Sequence, residues 1–322
     1  MHARARMLSV LLTIACAAAA LPAAAQYPAR PVRLIVPFPP SGAAELTARI
    51  WAQPLGVALG QPVIIEARPG GDGIIAAEAV LKSAPDGHTL FYGTSTAMSW
   101  QPAVRKVPPY DPVTDFTPIS DVGRFGFFLF TNPSVPATTV AELLEYVRAN
   151  PGKLNYGTGN SFSIMTMAQL RIAQKLDIVH VPYKGDGPLT VDLLGGRVQM
   201  AFATPGTALP QVKDGRLRAL ATMLPNRSPL APDVPTTAEA GLTGVSIAAW
   251  GGLFGPGKMP REVVDRLARE MAVVLRRPEV REGLDRIAFE AQSSTPEELA
   301  AFVRSQLDIW RRAVLEVGVA LE

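Results

Sequence analysis

The chain is poor in the side chains that usually do chemistry. Among 322 residues there is one cysteine, Cys16, and there are three histidines. Cys16 falls in an N-terminal leader, in which Arg4 and Arg6 precede an apolar stretch over 8–20 and the small residues Ala23-Ala24-Ala25 precede Gln26. That pattern predicts an export signal over 1–25. A lipoprotein signal through Cys16 is the rival, but Thr13-Ile14-Ala15 lacks the large aliphatic residue such a signal opens with. Cleavage before Gln26 leaves no cysteine, which excludes a disulfide, a thiol nucleophile and a thiolate metal ligand. The apolar stretch is too short to span a bilayer, and no later run is long enough. Charge is also scarce, at 18% of residues. Loss of Arg4 and Arg6 brings basic and acidic residues almost level, so a nucleic-acid footprint is not supported.

The remaining histidines, His88 and His180, sit after a Pro-Asp-Gly turn and in an apolar strand, as satisfied structural histidines do. There is no G-x-S-x-G elbow and no H-E-x-x-H. Gly157-Thr158-Gly159 fails the dinucleotide fingerprint because Phe162 stands where the third glycine belongs. No metal and no cofactor is expected. A carboxylate-based hydrolase is the one enzyme class left open.

What the chain does have is 48% apolar residues, 30 prolines and a regular alternation of strand-like and helix-like segments, which argues for α/β layers. Strands are predicted over 33–36, 62–66, 89–92, 127–130, 153–156, 178–181, 198–202 and 217–223, with those at 178–181 and 198–202 buried. Helices are predicted from 43, over 74–82, 141–148 with a capping box at Thr139, 164–175, 260–275, and from Thr295-Pro296 to about 317. Pro54 should end or kink the first helix near Ala52. The chain is long enough for two lobes rather than one core, and the segments 113–126 and 244–255 are expected to cross between them.

One device recurs. An apolar strand around Leu34-Ile35-Val36 breaks at Pro37-Phe38-Pro39-Pro40-Ser41-Gly42 and a helix opens at Ala43; Gly157-Thr158-Gly159-Asn160-Ser161 does the same before another helix. A strand turning through Gly and Pro into a helix leaves backbone N–H groups pointing outward with the positive end of the helix dipole behind them, which is an anion site. An ordinary strand–helix turn accounts for the same local residues. If the two devices lie on opposite lobes, both helix N-termini would face one cleft.

The segments PVRLIVPFPPSG, ALGQPVIIEARPGG, APDGHTL, YDPVTDFTPI, NPSVPATTVAELL, ANPGKLNYGTGN, DIVHVPYKG, DLLGGRVQMAF, GRLRALA, PDVPTTAEAG and TPEELAAFV follow in that order. In this the chain resembles the substrate-binding proteins of tripartite tricarboxylate transporters, the Bug or TctC-like family, over essentially its whole mature length. The resemblance implies an α/β fold of type II periplasmic binding-protein topology, two lobes with central mixed sheets joined by two crossing segments. Residues 26–123 and 246–322 would form the first lobe and 124–245 the second. It implies a periplasmic, monomeric protein that is not an enzyme and binds a small organic carboxylate largely through backbone N–H groups. Its partners would be the small and large permease subunits, or alternatively a sensor receptor.

By position, the resemblance implies a first ligand loop of Pro39, Pro40, Ser41, Gly42, Ala43, Ala44 and Glu45. A second would hold Thr158, Gly159, Asn160, Ser161, Phe162 and Ser163, a third Thr94, Ser95 and Thr96. Tyr183, Lys184, Ala203 and Thr204 would stand beside the cleft. Several positions depart from the family pattern: Ser41-Gly42 for Gly-Gly, Glu45 for Asp, Met165 where a His is common, Met98 and Trp100 after the third loop, and Ala203-Thr204 for Asp-Asn. These exchanges predict an apolar pocket lined by Met98, Trp100 and Met165 and suited to a monocarboxylate or aromatic carboxylate, unless those three side chains are core. Glu45 would orient the first loop or meet a ligand hydroxyl or ammonium through water.

Overall fold

The computed structural model describes residues 27–40 and 42–321. The expected export signal and Ser41 lie outside the described residues. Two mixed sheets organise the chain. The first has six strands in the order β11-β4-β10-β3-β1-β2, formed by β1 (Val32–Val36), β2 (Val63–Ala67), β3 (Thr89–Thr94), β4 (Phe116–Phe125), β10 (Trp250–Pro256) and β11 (Phe289–Ala291). The second has the order β7-β6-β8-β5-β9, from β5 (Phe128–Thr131), β6 (Asn155–Thr158), β7 (Val179–Pro182), β8 (Met200–Ala203) and β9 (Arg218–Thr222). In the first sheet β1 runs parallel to both β2 and β3, and in the second β6 runs parallel to both β7 and β8.

Each sheet is covered on both faces, as parallel strands require. Helix α1 (Ala43–Leu59) lies on one face of the first sheet with α8 (Arg261–Val274) and α9 (Pro278–Asp285), burying Trp51, Leu55, Leu267 and Met271 against Leu34, Leu90 and Leu253. Its other face packs Ile35, Phe91, Trp250 and Phe254 against α2 (Ile74–Leu81) and α10 (Pro296–Val317). On the second sheet, Leu129, Tyr156, Met200 and Phe202 meet α4 (Val140–Ala149) and α5 (Ser161–Ala173). Phe128, Phe130 and Ala201 meet α6 (Asp186–Leu194) and α7 (Pro205–Lys213) on the opposite side. A short α3 (Gln101–Val104) follows the turn after β3.

The segments expected to cross between lobes contain β4 and β10, which are antiparallel neighbours in the first sheet. The chain passes from β4 to β5 through Gly126 and Phe127, and returns between β9 and β10. Helix α10 then packs back across both lobes, with Trp310 beside Trp100 on one side and Phe162 on the other.

Two expectations need correction. Of the end or kink expected near Ala52, the end does not occur: the first helix runs on through Pro54 to Leu59. Proline removes one N–H, and burial of Trp51, Leu55 and Leu59 holds the helix together around it. The strand at 178–181 is not buried. It is the edge strand β7, with Val179 and His180 exposed, because nothing pairs beyond it.

Candidate functional site

The carboxyl ends of the parallel strands are where the local geometry becomes distinctive, as expected for loops feeding helix N-termini. After β1, Gly42 N–H donates to the Pro39 carbonyl at 3.2 Å and closes a turn. Gly42 is extended (φ −74°, ψ 160°) and has no side chain to cap α1. Leu46 N–H bonds back to Gly42 O at 3.0 Å, while the N–H groups of Ala43 and Ala44 have no partner among the described residues. Beyond β3, Thr94 Oγ1 is buried without a hydrogen-bond partner, and Ser95 and Thr96 lead into the turn Thr96–Trp100. Asp72, exposed and in the left-handed region (φ 50°), accepts a 3.3 Å hydrogen bond from Gln101 Nε2.

The second sheet supplies the opposite wall. After β6, Asn160 caps α5: its side-chain oxygen accepts from Ser163 N–H at 2.9 Å, and Ser163 Oγ accepts from the Gly159 and Asn160 N–H groups. Ser161 and Phe162 N–H groups remain without a partner among the described residues. Asp186, the first residue of α6, ties the loops of this wall together. Its carboxylate accepts from Asn160 Nδ2 at 3.1 Å, Thr204 N–H at 2.9 Å and Thr204 Oγ1 at 2.6 Å.

These walls enclose one cavity of about 670 Å³. It brings together Pro39, Gly42, Ala43 and Ala44 from the first predicted loop, all of Thr94, Ser95 and Thr96, Gly159, Asn160, Ser161 and Phe162 from the second, and Thr204. Both helix N-termini, α1 and α5, therefore face the same space.

Other predicted residues do not line it. Pro40 points to solvent. Glu45 is buried and ion-paired with Arg49, and it is not among the residues lining the cavity. Thr158 is buried behind the loop, bonded to His180 Nε2 at 2.7 Å, and Ser163 is used up in the cap. Tyr183 turns to donate to Asp192 at 2.8 Å and Lys184 is exposed, while Ala203 is core. Met165 and Met98 are fully buried in the cores, and Trp100 packs on Trp310. The two methionines are core side chains, as the alternative held, and Trp100 is partly buried against the core.

The apolar character of the cavity has another source. Phe38, Phe125, Phe127 and Phe162 line it, with Phe127 and Phe162 ring centroids 4.5 Å apart. Gly185, from the Tyr183-Lys184-Gly185 turn that the resemblance sets beside the cleft, lines it, whereas Phe38, Phe125, Phe127, Asp72, Asp186 and Ala249 are lining residues that the sequence pattern does not single out. Asp186 stands immediately after the Tyr183-Lys184-Gly185 turn, one step further along the chain. Phe125 and Phe127 flank Gly126, where the chain crosses from β4 to β5.

Electrostatically the cavity is unusual for an anion site. Among the described residues its lining includes two carboxylates, Asp72 and Asp186, and neither lysine nor arginine. Any anion here must be held by N–H donors, which can suffice when several converge. Around it, burial and then the Asp192 carboxylate push the Tyr183 phenol up to about 12. Burial, and then Arg171, hold the His180 imidazole below its ordinary value. His88 lies away from the cavity, with its ring nitrogens unbonded and Nδ1 3.4 Å from Asp86. It is not the hydrogen-bonded histidine expected.

Known proteins resemble this chain in sequence and in fold. The model of the tripartite tricarboxylate transporter family receptor matches residues 47–319. Protein BugT of Bordetella pertussis is 34% identical, covering 98% of this chain and 99% of its own. The Rhodopseudomonas palustris protein Rpa4515, solved with adipate, superposes with a TM-score of 0.77 at 32% identity, covering 91% of this chain and 98% of that one. MatC from the same organism, with bound malate, gives 0.71 at 30% identity, covering 89% and 100%. The matched family and its solved relatives are substrate-binding proteins rather than enzymes.

Proposed function

The chain belongs to the tripartite tricarboxylate transporter receptor family, and on that premise we propose that it is a periplasmic receptor that closes over a small organic carboxylate. The single observation that carries the reading is the convergence of two helix N-termini from different sheets on one cavity whose lining, among the described residues, has no basic side chain. The carboxylate is held by Ala43 and Ala44 N–H groups from one wall and Ser161 and Phe162 N–H groups from the other, with Thr94 Oγ1 as a further donor. Its apolar body lies among the four phenylalanine rings. The relatives solved with adipate and malate support a carboxylate as ligand.

The lobes comprise 26–123 with 246–322, and 124–245, after removal of the export signal 1–25. A ligand that bonds loops of both lobes binds the closed state better than the open one, so capture is a population shift toward closure. The closed monomer then docks on the small and large membrane subunits of an ion-gradient-driven carrier.

Residues 26–322, unfolded and refolded to strip captured ligand, are tested by thermal shift against aliphatic mono-, di- and tricarboxylates, acidic amino acids and aromatic carboxylates. Ligand at a hundred times its Kd stabilises by about 2.7 kcal/mol. Stabilisation confined to carboxylates is the expected result, and no shift with any of them overturns the reading.

A further inference from the structure

A second cavity of about 480 Å³ adjoins the first, sharing Ala43, Phe125 and Thr204 with it. Its floor is apolar, with Leu46 from α1, Leu209 from α7, and Ile287. The polar groups around this floor are already engaged. Thr47 Oγ1 donates to Ala43 O at 2.7 Å, and Thr204 Oγ1 donates to Asp186.

Two cations also line it. Lys213 closes α7, packed on the second sheet, and Arg286 follows α9, packed on the first. Neither has an ion pair or a side-chain hydrogen bond among the described residues. Other arginines among the described residues are ion-paired, Arg124 with Asp121 and Arg197 with Asp192 among them. Among the described residues the lining holds no acidic side chain.

Charge is therefore divided along the cleft. The first cavity is lined by Asp72 and Asp186, which would repel a ligand's second carboxylate, and the second, which meets the first at Ala43, Phe125 and Thr204, is lined by two cations with no ion pair among the described residues. Like charges on opposite lobes also oppose each other when the lobes approach, and an anion between them removes that opposition.

We propose that Lys213 and Arg286 form a second anion subsite that spans the two lobes and receives the far, anionic end of an elongated carboxylate ligand. This rests on the receptor reading above: one carboxylate sits on the helix N-termini, an apolar chain passes Phe125, and the second anionic group lies between the two cations.

The test is isothermal titration of the mature protein with α,ω-dicarboxylates from succinate to sebacate, each beside the monocarboxylate of equal length. The expected result is a chain length at which the diacid binds about tenfold or more tightly than its monoacid. In the double variant Lys213→Gln/Arg286→Gln that ratio falls to about one, a change in discrimination that a general loss of folding would not produce. Both side chains are exposed, and a thermal melt of the variant checks that it is folded. Monoacid binding with no diacid advantage at any length, or an advantage that survives the double variant, overturns the proposal and leaves the receptor reading intact. Failure of every carboxylate to bind overturns both.

Discussion

The Asp186 carboxylate accepts both the backbone N–H and the hydroxyl of Thr204, at 2.9 and 2.6 Å, so the first residue of α6 is tied to the residue that opens α7. Its other oxygen takes Asn160 Nδ2, the cap of α5. One side chain thus registers three helix N-termini on the second wall of the cleft. Hydrogen bonds to a charged group contribute about 1.5–3 kcal/mol each, and a donor left unsatisfied costs more than the bond itself. Asp186→Ala is expected to destabilise the protein by about 2–4 kcal/mol in urea denaturation and to weaken carboxylate binding through misplaced Ser161 and Phe162 N–H groups. Unchanged stability would show that the three bonds do not hold the wall.

Gly159 makes that register possible. A Cβ there would fall on Asp186 Oδ1 and stand 2.7 Å from the Gly185 carbonyl carbon and 2.8 Å from Asp186 N. Two of the three obstacles are backbone, so they cannot rotate away. Gly159→Ala should cost about 1–3 kcal/mol of stability and about tenfold or more in ligand affinity, because α5 and α6 must separate. Gly187→Ala is the control: nothing lies within 4 Å of its Cβ, and the residue is inside α6. It should be neutral or slightly stabilising in the same melts.

Much of this was legible from residue pattern alone, and the reasons differ by element. Helix α10 was readable to the residue, since Thr295 and Glu298 close a capping box and Pro296 fits the first turn. The two ligand-facing helix starts were readable because Gly and Pro break a strand where free N–H groups emerge. Side-chain direction was not readable. Met98, Met165 and Trp100 occupy positions next to cleft residues, yet they turn into the cores, while Phe125 and Phe127 turn into the cleft. Glu45 pairs with the following helical turn, which the Glu45–Arg49 spacing does encode. Lys213 and Arg286 could not be joined from sequence, because their proximity depends on how two lobes meet.

Asp72 offers a direct test of how far the first cavity resists anions. Its backbone is left-handed, a conformation asparagine also tolerates, so Asp72→Asn removes the charge and keeps the turn. An exposed charge a few ångströms from a bound carboxylate changes affinity by about fivefold. The variant should bind a monocarboxylate about that much more tightly at low salt, and titrations at high salt should show the difference shrinking. Weaker binding by Asp72→Asn would instead mean that Asp72 accepts a hydrogen bond from the ligand.

His180 predicts a pH dependence whose sign follows from its surroundings. The ring stacks on Tyr156 at 4.9 Å, its Nε2 lies 2.7 Å from Thr158 Oγ1, and burial followed by Arg171 holds its pKa below the ordinary 6.5. In the unfolded chain the imidazole takes a proton first as pH falls, so the unfolded state binds more protons than the native state just below 6.5. The stability this site contributes is therefore present above 6.5 and is lost as pH falls through the folded value. The edge strand leaves the ring exposed, and solvent screening keeps the effect small. An NMR titration of the His180 ring protons should give a midpoint below 6.5, and His180→Gln should remove a small acid-side fall in the melting temperature. A midpoint at or above 6.5 would mean that protonation is favoured beside Thr158, and the second ligand loop would then tighten rather than loosen in acid.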